Sequence, residues 1–490
     1  MRNRFSILLG ALLLGSSASA ESAQLATDAV ETKYLLFQVC PAMPGFSPIF
    51  PPVPGRMALT KEQLADFARG VTKAIGMTGD ARQKLGFTIG PLCFDMPDGE
   101  IRQWMRDAFA VARGNDVAVA FHIDDSMFWG QRKDLLSNPD NIETADWKQI
   151  PNTGRRLDWG LKPTKAAPQM CFNVPAIVTA VQKRAELIGA EITRELPILK
   201  AQGKAHLFAG VIAGWETQIG PDWETGKSLG FRALAHRGFS EKRPPKDLDA
   251  ERVSVVKEWI ELWANLLHAG GTPREKIFCH IAFTSQGLAP EKWATTGAQK
   301  ARFAPAEVAF SAAYRPGFST YPEGTTFSQI HDALAVHGGP GWISAEGVNV
   351  SPTGMPGEPT METYLGRIFN HGGVLANVFS WGIGGEAQRT NFFRLATESP
   401  ECLAAYSKFL RGEKLAESAA RRFSASALQE KMHRIQTGIQ GYRQEAGLMQ
   451  KLRMKSLMQK LDSLINGKKW LEADQVADEV WALISEKQMK

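Results

Sequence analysis

The feature that most constrains the fold is a regular alternation of short apolar runs with amphipathic stretches. The runs have strand length, and the stretches between them carry apolar residues at the three- and four-residue spacing of a helix. Eight runs are predicted as strands: residues 33–40, 85–92, 116–123, the run that begins at Leu207, 276–283, 308–314, 342–350 and 374–381. Seven helices are predicted between or after them: residues 60–75, 99–113, 174–202, 249–268, 326–337, 361–370 and 391–410.

This alternation, over residues 30–412, predicts an α/β chain folded as a (β/α)8 (TIM) barrel with long βα loops. The alternative is an open doubly wound sheet, which is disfavoured because no Gly-rich phosphate loop follows the first strand. Residues 126–173 form a long insertion rich in Trp, Pro and Asn, and loops of that length are usually functional. Over residues 421–490 the apolar spacing is helical only, which predicts a small C-terminal appendage, a hairpin or bundle of two or three helices.

Residues 1–20 have the layout of a cleavable secretory signal peptide. Two arginines precede an apolar run at residues 5–15 that is too short to span a bilayer, and the sequence Ala-Ser-Ala at 18–20 has the pattern of a cleavage site. We therefore expect a secreted or periplasmic chain that starts near Glu21 and has no membrane span.

The charge and the cysteine content exclude some partners. The formal net charge is +6, and no basic cluster is interleaved with aromatic residues, which argues against a nucleic-acid partner. The odd number of cysteines leaves at least one thiol free, and either a bridge between Cys40 and Cys93 or burial of all five as small hydrophobic residues is open. No pair has metal-ligand spacing, so neither a metal nor another cofactor is predicted. The five cysteines are Cys40, Cys93, Cys171, Cys279 and Cys402.

Carboxylates and aromatic residues follow several of the predicted strands. In a (β/α)8 barrel the functional side chains project from the carboxyl ends of the strands. Glu216 follows the fourth predicted strand and Glu346 lies on the seventh, so these two are the candidate catalytic residues. The candidate substrate-binding residues are His122, Asp124, Asp125, Trp129, Trp215, His280, Tyr314 and Trp381.

Two carboxyl groups on opposite sides of a pocket suit glycoside hydrolysis, in which one is protonated and the other ionised. Strands four and seven lie across the mouth of a closed barrel, so Glu216 and Glu346 would face each other. A separation of about 5 Å between the carboxyl groups implies a covalent intermediate and retention, whereas about 6.5–9.5 Å implies inversion.

The layout resembles that of the clan-A glycoside hydrolases, which are retaining (β/α)8 enzymes. The resemblance covers the predicted barrel and implies that Glu216 is the general acid/base and Glu346 the nucleophile. It also implies a Tyr or His on strand six beside the nucleophile and a Trp after strand eight under the sugar, where this chain has Tyr314 and Trp381. The sequence departs from the family pattern at one position, because Trp215 stands where an Asn normally precedes the acid/base glutamate.

That Asn normally binds the sugar 2-hydroxyl, so either another group does this here or the substrate differs. Asp124 and Asp125 are candidates for this contact; the alternatives are that they cap the following loop or hold a cation such as Ca²⁺. His122 and His280 either contact the substrate or hydrogen-bond inside the barrel. Glu216 itself would be structural if it were paired with an arginine at the rim.

The sequence thus predicts an exported glycoside hydrolase that acts on an oligosaccharide or polysaccharide. A transglycosylase would use the same residues, and a non-catalytic carbohydrate-binding protein on a degenerate barrel is the alternative from another class. A metal-dependent hydrolase ranks last, since the first predicted strand has no histidine. Whether the C-terminal helices form a homo-oligomer or cover the barrel is open.

Overall fold

The computed structural model describes most of the chain after the N-terminal thirty residues. The described residues are 31–43, 50–157, 164–282, 302–320, 324–347, 360–379, 400–416, 425–467 and 469–488.

Eight parallel strands form one sheet. The strands are β1 Lys33–Val39, β2 Gln83–Leu92, β3 Ala118–Ile123, β4 Phe208–Ala213, β5 Ile277–Cys279, β6 Gly317–Thr320, β7 Trp342–Gly347 and β8 Gly373–Val378. Their hydrogen-bonded order is β5-β4-β3-β2-β1-β8-β7-β6. The sheet closes between β5 and β6, where the Cys279 N–H donates to the Arg315 carbonyl at 3.0 Å and the Ser319 N–H donates to the Ile281 carbonyl at 3.0 Å. The predicted (β/α)8 barrel is therefore confirmed.

Helices surround the sheet, and polar side chains cap the first turn of several of them. Thr60 and Gln63 form a capping box at the start of the first helix, and the Asp247 carboxylate accepts the N–H groups of Asp249 and Ala250 at the start of the fourth. Each helix packs its apolar face against the strands, as the spacing predicts. The helices of the barrel are α1 Lys61–Ile75, α2 Asp98–Asn115, α3 Pro175–Ala201, α4 Leu248–Ala269, α5 Gly324–Val336, α6 Met361–Phe369 and α7 Pro400–Leu410.

The interior of the barrel has an apolar floor beneath a polar layer. Side chains from six strands make up the floor, and alanines on β3 and β4 leave room for the larger residues of the opposite strands. Polar side chains replace these residues at the carboxyl ends of the strands, as at Gln38 on β1 and Asn377 on β8. The functional end of the barrel is therefore the carboxyl end, as the fold requires.

The insertion after β3 folds against the barrel in its described part. It contains a short helix, Lys133–Leu136, and two antiparallel strands, Arg155–Leu157 and Thr164–Ala166. The buried carboxylate of Glu143 accepts the N–H groups of Arg232 and Ala233, both at 3.0 Å, and so ties the insertion to the loop after β4. Burial raises the pKa of Glu143 to about 7.

The sixth strand is not where the sequence placed it. The apolar run at 308–314 begins in a 3-10 helix, Ala306–Ala309, and the strand follows at Gly317–Thr320. The run is apolar because Val308 and Tyr314 are buried in the outer core, and burial alone does not distinguish a strand from a buried turn. Glycine at 317 permits the strand contact, since a Cβ there would lie 2.0 Å from the Cys279 carbonyl oxygen.

All five cysteines are free and buried, so no bridge joins Cys40 to Cys93 and the alternative of buried small hydrophobic residues is the correct one.

Three helices make up the C-terminal appendage: α8 Ala425–Glu445, α9 Leu448–Asn466 and α10 Trp470–Gln488. They share a separate apolar core that includes Ile435, Leu461 and Val476. None of the helices in the described ranges is long and apolar enough to cross a membrane.

Candidate functional site

The turn after β4 presents Glu216 at the mouth of the barrel. Gly214 has φ +101°, and a Cβ at this position would lie 2.1 Å from the Thr217 hydroxyl oxygen, so the close turn requires glycine. Glu216 itself has φ +51°, a left-handed conformation that costs about 1 kcal/mol or more in a residue with a side chain. A buried conformation of this cost persists only where surrounding contacts hold it.

Asp125 supplies some of those contacts. Its carboxylate accepts the Trp215 N–H at 3.2 Å, the Thr217 hydroxyl at 2.8 Å and the indole N–H of Trp259 at 2.8 Å. Burial raises the pKa of Asp125, and these donors oppose that rise. Asp125 therefore stabilises the turn that carries Glu216 by these hydrogen bonds.

Asp124 caps the following loop, which is one of the alternatives that the sequence left open. Its two carboxylate oxygens accept the N–H groups of Met127 at 3.0 Å and Phe128 at 2.7 Å. Burial, and then the charge of Asp125, raises the pKa of Asp124 to about 7.

A buried arginine faces this group of carboxylates. Arg155, from the insertion, donates through Nη1 to the Gln169 side-chain oxygen at 2.7 Å, and its Nε and Nη2 have no hydrogen-bond partner in the described structure. Burial lowers the pKa of Arg155 to about 10, and the charges of Asp124, Asp125 and Glu216 oppose that change. Arg155 thus offsets part of the negative charge at the mouth.

His280 and Ser319 hold Glu216 at both its backbone and its carboxylate. The Glu216 N–H donates to Nδ1 of His280 at 3.3 Å, which leaves the ring proton on Nε2. Nε2 then donates to the Ser319 hydroxyl at 2.8 Å, and that hydroxyl donates to Oε1 of Glu216 at 3.4 Å. Burial lowers the pKa of His280 to about 3, so the ring is neutral at ordinary pH and keeps this tautomer. We call these two residues the Glu216 clamp.

His122 continues the polar layer behind the clamp. Its Nε2 lies 3.1 Å from both the Gly214 carbonyl oxygen and Nδ1 of His280, and its Nδ1 lies 3.2 Å from the Gln38 side-chain oxygen. The indole of Trp215 stacks on the ring at 4.1 Å. Burial, and then the charge of His280, lowers the pKa of His122 well below its ordinary value.

An irregularity in β7 turns Glu346 toward the same mouth. Ser344 faces the helix side, where its hydroxyl contacts Tyr364 of α6, and regular alternation would send Glu346 the same way. The register shifts between these residues: Phe318 pairs with Ser344, but the next residue, Ser319, pairs with Glu346. This β-bulge places Glu346 on the inner face beside Ser319.

The two candidate catalytic glutamates are therefore brought together around Ser319. Its hydroxyl bonds to Glu216, and its backbone lies in register with Glu346. Glu216 is 8% exposed and Glu346 6% exposed, so both are nearly buried. Burial, and then the charge of Glu346, raises the pKa of the Cys40 thiol, as expected if Glu346 extends toward the end of β1.

Several predicted substrate-binding residues are buried and expose no surface to a substrate. His122, His280 and Trp129 are 0% exposed, and the Trp129 indole N–H donates to the Pro168 carbonyl at 2.8 Å. Trp215 is buried against His122. These four side chains support the mouth from within, and sugar stacking on Trp129 does not fit its burial.

Tyr314 lies away from the mouth and Trp381 lies outside the described residues. The prediction that Tyr314 ends strand six is wrong, because Tyr314 precedes β6 and its hydroxyl donates to the Val308 carbonyl at 2.6 Å. The strand-six residue beside the glutamates is Ser319 instead.

Sequence reasoning missed Ser319, Arg155, Gln38 and Asn377. Ser319 was hidden by the misplaced sixth strand. Gln38 and Asn377 each interrupt an apolar strand with an amide, a pattern that indicates a buried polar contact, and the Asn377 amide donates to the Gln38 side-chain oxygen at 2.8 Å.

No three His, Cys, Asp or Glu side chains converge on a point that could hold a metal ion within the ranges that the structure describes.

Some solved structures are similar to this chain. The catalytic domain of a β-amylase from Paenibacillus polymyxa is 9% identical, with a TM-score of 0.47 over 79% of this chain and 100% of that one. A GH5-4 broad specificity endoglucanase from an uncultured bacterium is 9% identical, with a TM-score of 0.36 over 78% and 96% of the two chains. A D-allulose 3-epimerase from Methylomonas sp. is 10% identical, with a TM-score of 0.35 over 79% and 98%. No protein-family model and no curated protein matches the sequence. The assignment of the fold rests on the strand order described above.

Proposed function

We propose that this chain is a glycoside hydrolase that uses Glu216 and Glu346 in a retaining double displacement. The observation that carries the proposal is the convergence of two nearly buried glutamates, from β4 and β7, on Ser319 at the carboxyl end of the barrel. Cleavage of a glycosidic bond requires two carboxyl groups at one site, and these two glutamates supply them at the barrel mouth.

Glu216 is the proposed general acid/base. Its carboxylate and its backbone are both fixed by the Glu216 clamp, and a proton donor must be held within hydrogen-bond distance of the leaving-group oxygen. Glu346 is the proposed nucleophile. It would attack the anomeric carbon from the opposite face and form a glycosyl-enzyme, which water activated by Glu216 then hydrolyses.

The proposed substrate is an oligosaccharide or polysaccharide outside the cytoplasm. The predicted signal peptide at residues 1–20 supports export. Asp124 and Asp125 are committed to protein N–H and O–H donors, so the sugar 2-hydroxyl is proposed to bond elsewhere at the mouth.

The test compares wild type, Glu216→Gln and Glu346→Gln on a panel of aryl glycosides, with azide as an external nucleophile. We expect Glu346→Gln to be inactive. Glu216→Gln should lose most activity on poor leaving groups, because they need the proton from Glu216 in the first step. On aryl glycosides with good leaving groups, azide should restore part of the activity, because azide needs no general base in the second step. The sugar product of wild type should first form with the anomeric configuration of the substrate, as followed by NMR. Glu186→Gln, an exposed position on α3, is the matched control and should behave as wild type.

Other outcomes would point to the alternatives. If both variants retain the activity of wild type, the pair is misassigned. If product is inverted, the double displacement is wrong. Transfer of the glycosyl group to an added sugar in preference to water would identify a transglycosylase. If wild type binds oligosaccharides, cleaves none of them, and binding is unchanged in both variants, the chain is a carbohydrate-binding protein.

A further inference from the structure

Most of the formal net positive charge of this chain lies in residues 421–490, where α9 alone carries +3. Residues 421–490 contain thirteen Lys and Arg against eight Asp and Glu, a formal charge of +5 out of +6 for the whole chain. The predicted signal peptide carries +2, which leaves −1 for residues 21–420. The proposed catalytic site needs no such surplus, and it lies in the other part of the chain.

Within the appendage, one helix carries an unpaired basic surface. Lys451, Arg453, Lys455 and Lys460 of α9 are exposed, and Asp462 is the one acidic residue on that helix. None of the four cations has an acidic partner among the residues that the structure describes. We call these four residues the α9 basic surface.

Three acidic residues of the bundle pair with cations outside α9. Lys431 of α8 pairs with Asp474 at 2.6 Å and Asp478 at 2.9 Å, and Lys469 pairs with Glu472 at 3.5 Å. Among the described residues, the α9 basic surface is left without an ion pair. Lys451 and Lys455 are also one helical turn apart, where like charges repel each other, so folding alone does not favour the arrangement.

An apolar side chain stands in the middle of this surface. Leu452 is 53% exposed, while Met454 and Leu461 on the opposite side of α9 are buried in the core of the bundle. A basic surface with an outward apolar residue is the pattern of a helix that lies on an anionic lipid surface. Sugar-binding faces use aromatic rings for stacking, and α9 contains no aromatic residue.

We propose that the α9 basic surface binds an anionic phospholipid membrane surface, with Lys451, Arg453, Lys455 and Lys460 contacting phosphate groups and Leu452 entering the interface. The bundle would then hold the barrel against a membrane without crossing it. This binding is independent of the proposed catalytic activity, since none of the residues described at the barrel mouth belongs to α9.

The test is co-sedimentation with vesicles of phosphatidylcholine alone and of phosphatidylcholine with 30% phosphatidylglycerol. The protein is the full chain from Glu21, because the apolar run at residues 5–15 would itself partition into lipid. We expect binding to the anionic vesicles only, and a decrease as salt is raised.

The decisive variant is K451Q/K455Q/K460Q. Each neutralised cation should weaken partitioning about fivefold, so the three together should weaken it roughly a hundredfold. The matched control is K61Q/K73Q/K183Q, which removes three exposed lysines from α1 and α3 and should leave binding unchanged. Circular dichroism melting establishes that both variants fold.

Four results would overturn the proposal. They are no binding of wild type to anionic vesicles, equal binding to neutral vesicles, binding unaffected by the α9 variant, and an equal loss in the control variant. A salt-sensitive dimer that sediments without vesicles and dissociates in the α9 variant would make a second copy of the chain the occupant instead. Because the assay measures sedimentation, an inactive enzyme does not affect its outcome.

Discussion

At the scale of single residues, the mouth depends on the hydroxyl of Ser319. This hydroxyl accepts a hydrogen bond from Nε2 of His280 and donates one to the Glu216 carboxylate, while the backbone of Ser319 pairs with that of Glu346. Ser319 should therefore affect the position of the Glu216 carboxylate.

We expect Ser319→Ala to lower kcat about tenfold, because the Glu216 carboxylate loses the hydroxyl donor that fixes its position. The measurement is the kcat of wild type and variant on the same aryl glycoside. Ser344→Ala is the control, because it removes a buried hydroxyl on the helix side of the neighbouring strand. An unchanged kcat in Ser319→Ala, or an equal decrease in Ser344→Ala, would contradict this positioning role.

At the scale of elements, two local departures from regular structure orient the two glutamates. The turn after β4 uses a positive φ at Gly214 and at Glu216. In β7 a bulge reverses the direction in which Glu346 points. Regular continuation of either strand would change the direction of its carboxylate.

Gly214→Ala should reduce kcat about a hundredfold, since a displacement of about 1 Å at a catalytic group has that effect. It should also destabilise the fold by about 2 kcal/mol more than Gly203→Ala. Both glycines have a positive φ, but a Cβ at 214 meets the Thr217 hydroxyl, whereas a Cβ at 203 meets nothing within 4 Å. Urea unfolding and steady-state kinetics of the two variants test this. Equal stability with full activity in both would mean that the turn adjusts freely.

Strands and helices were predicted correctly where the sequence pattern is compatible with only one kind of element. The run at 33–40 is strand because its apolar residues are continuous and bounded by a loop, and Glu216 was correctly placed after strand four because a carboxylate ends an apolar strand. The prediction of a strand at 308–314 was wrong, because a turn that is buried in the outer core is equally apolar. The direction of Glu346 depends on a bulge, and the Glu216 clamp brings His280 and Ser319 to a turn that is distant from both in the sequence, so neither has a local signature.

At the scale of the whole molecule, buried carboxyl groups and buried histidines change the free energy of unfolding in opposite directions as the pH rises. Asp124 and Glu143 have pKa values raised to about 7 from ordinary values of 3.8 and 4.5. Their contribution to stability is therefore full below about pH 4 and is lost as the pH rises through about 7. His122 and His280 have lowered pKa values, so their contribution is present above about pH 6.5 and is lost as the pH falls. Between about pH 4.5 and 6.5 the two effects offset each other.

The double variant Asp124→Asn/Glu143→Gln should remove the pH-dependent contribution of the two carboxyl groups and keep that of the histidines. Its free energy of unfolding should then rise with pH between about 4.5 and 6.5, with a slope of roughly 2 kcal/mol per pH unit, while that of wild type changes little. Urea unfolding at four pH values measures both slopes, and the slope is informative even if the variant is less stable overall. Equal slopes would contradict the assignment of the two buried carboxyl groups.

The pairing of β1 with β8, the first and last strands, determines how much of the chain must be synthesised before the barrel mouth can form. Tyr34 pairs with Leu375, and Gln38 receives its hydrogen bond from Asn377, 339 residues later in the chain. A ribosome must therefore make nearly the whole barrel before the first strand has a neighbour on its second side. Until then Gln38 and His122 lack the closed ring that buries them, and a chain cut short before residue 373 has an open edge in place of a mouth.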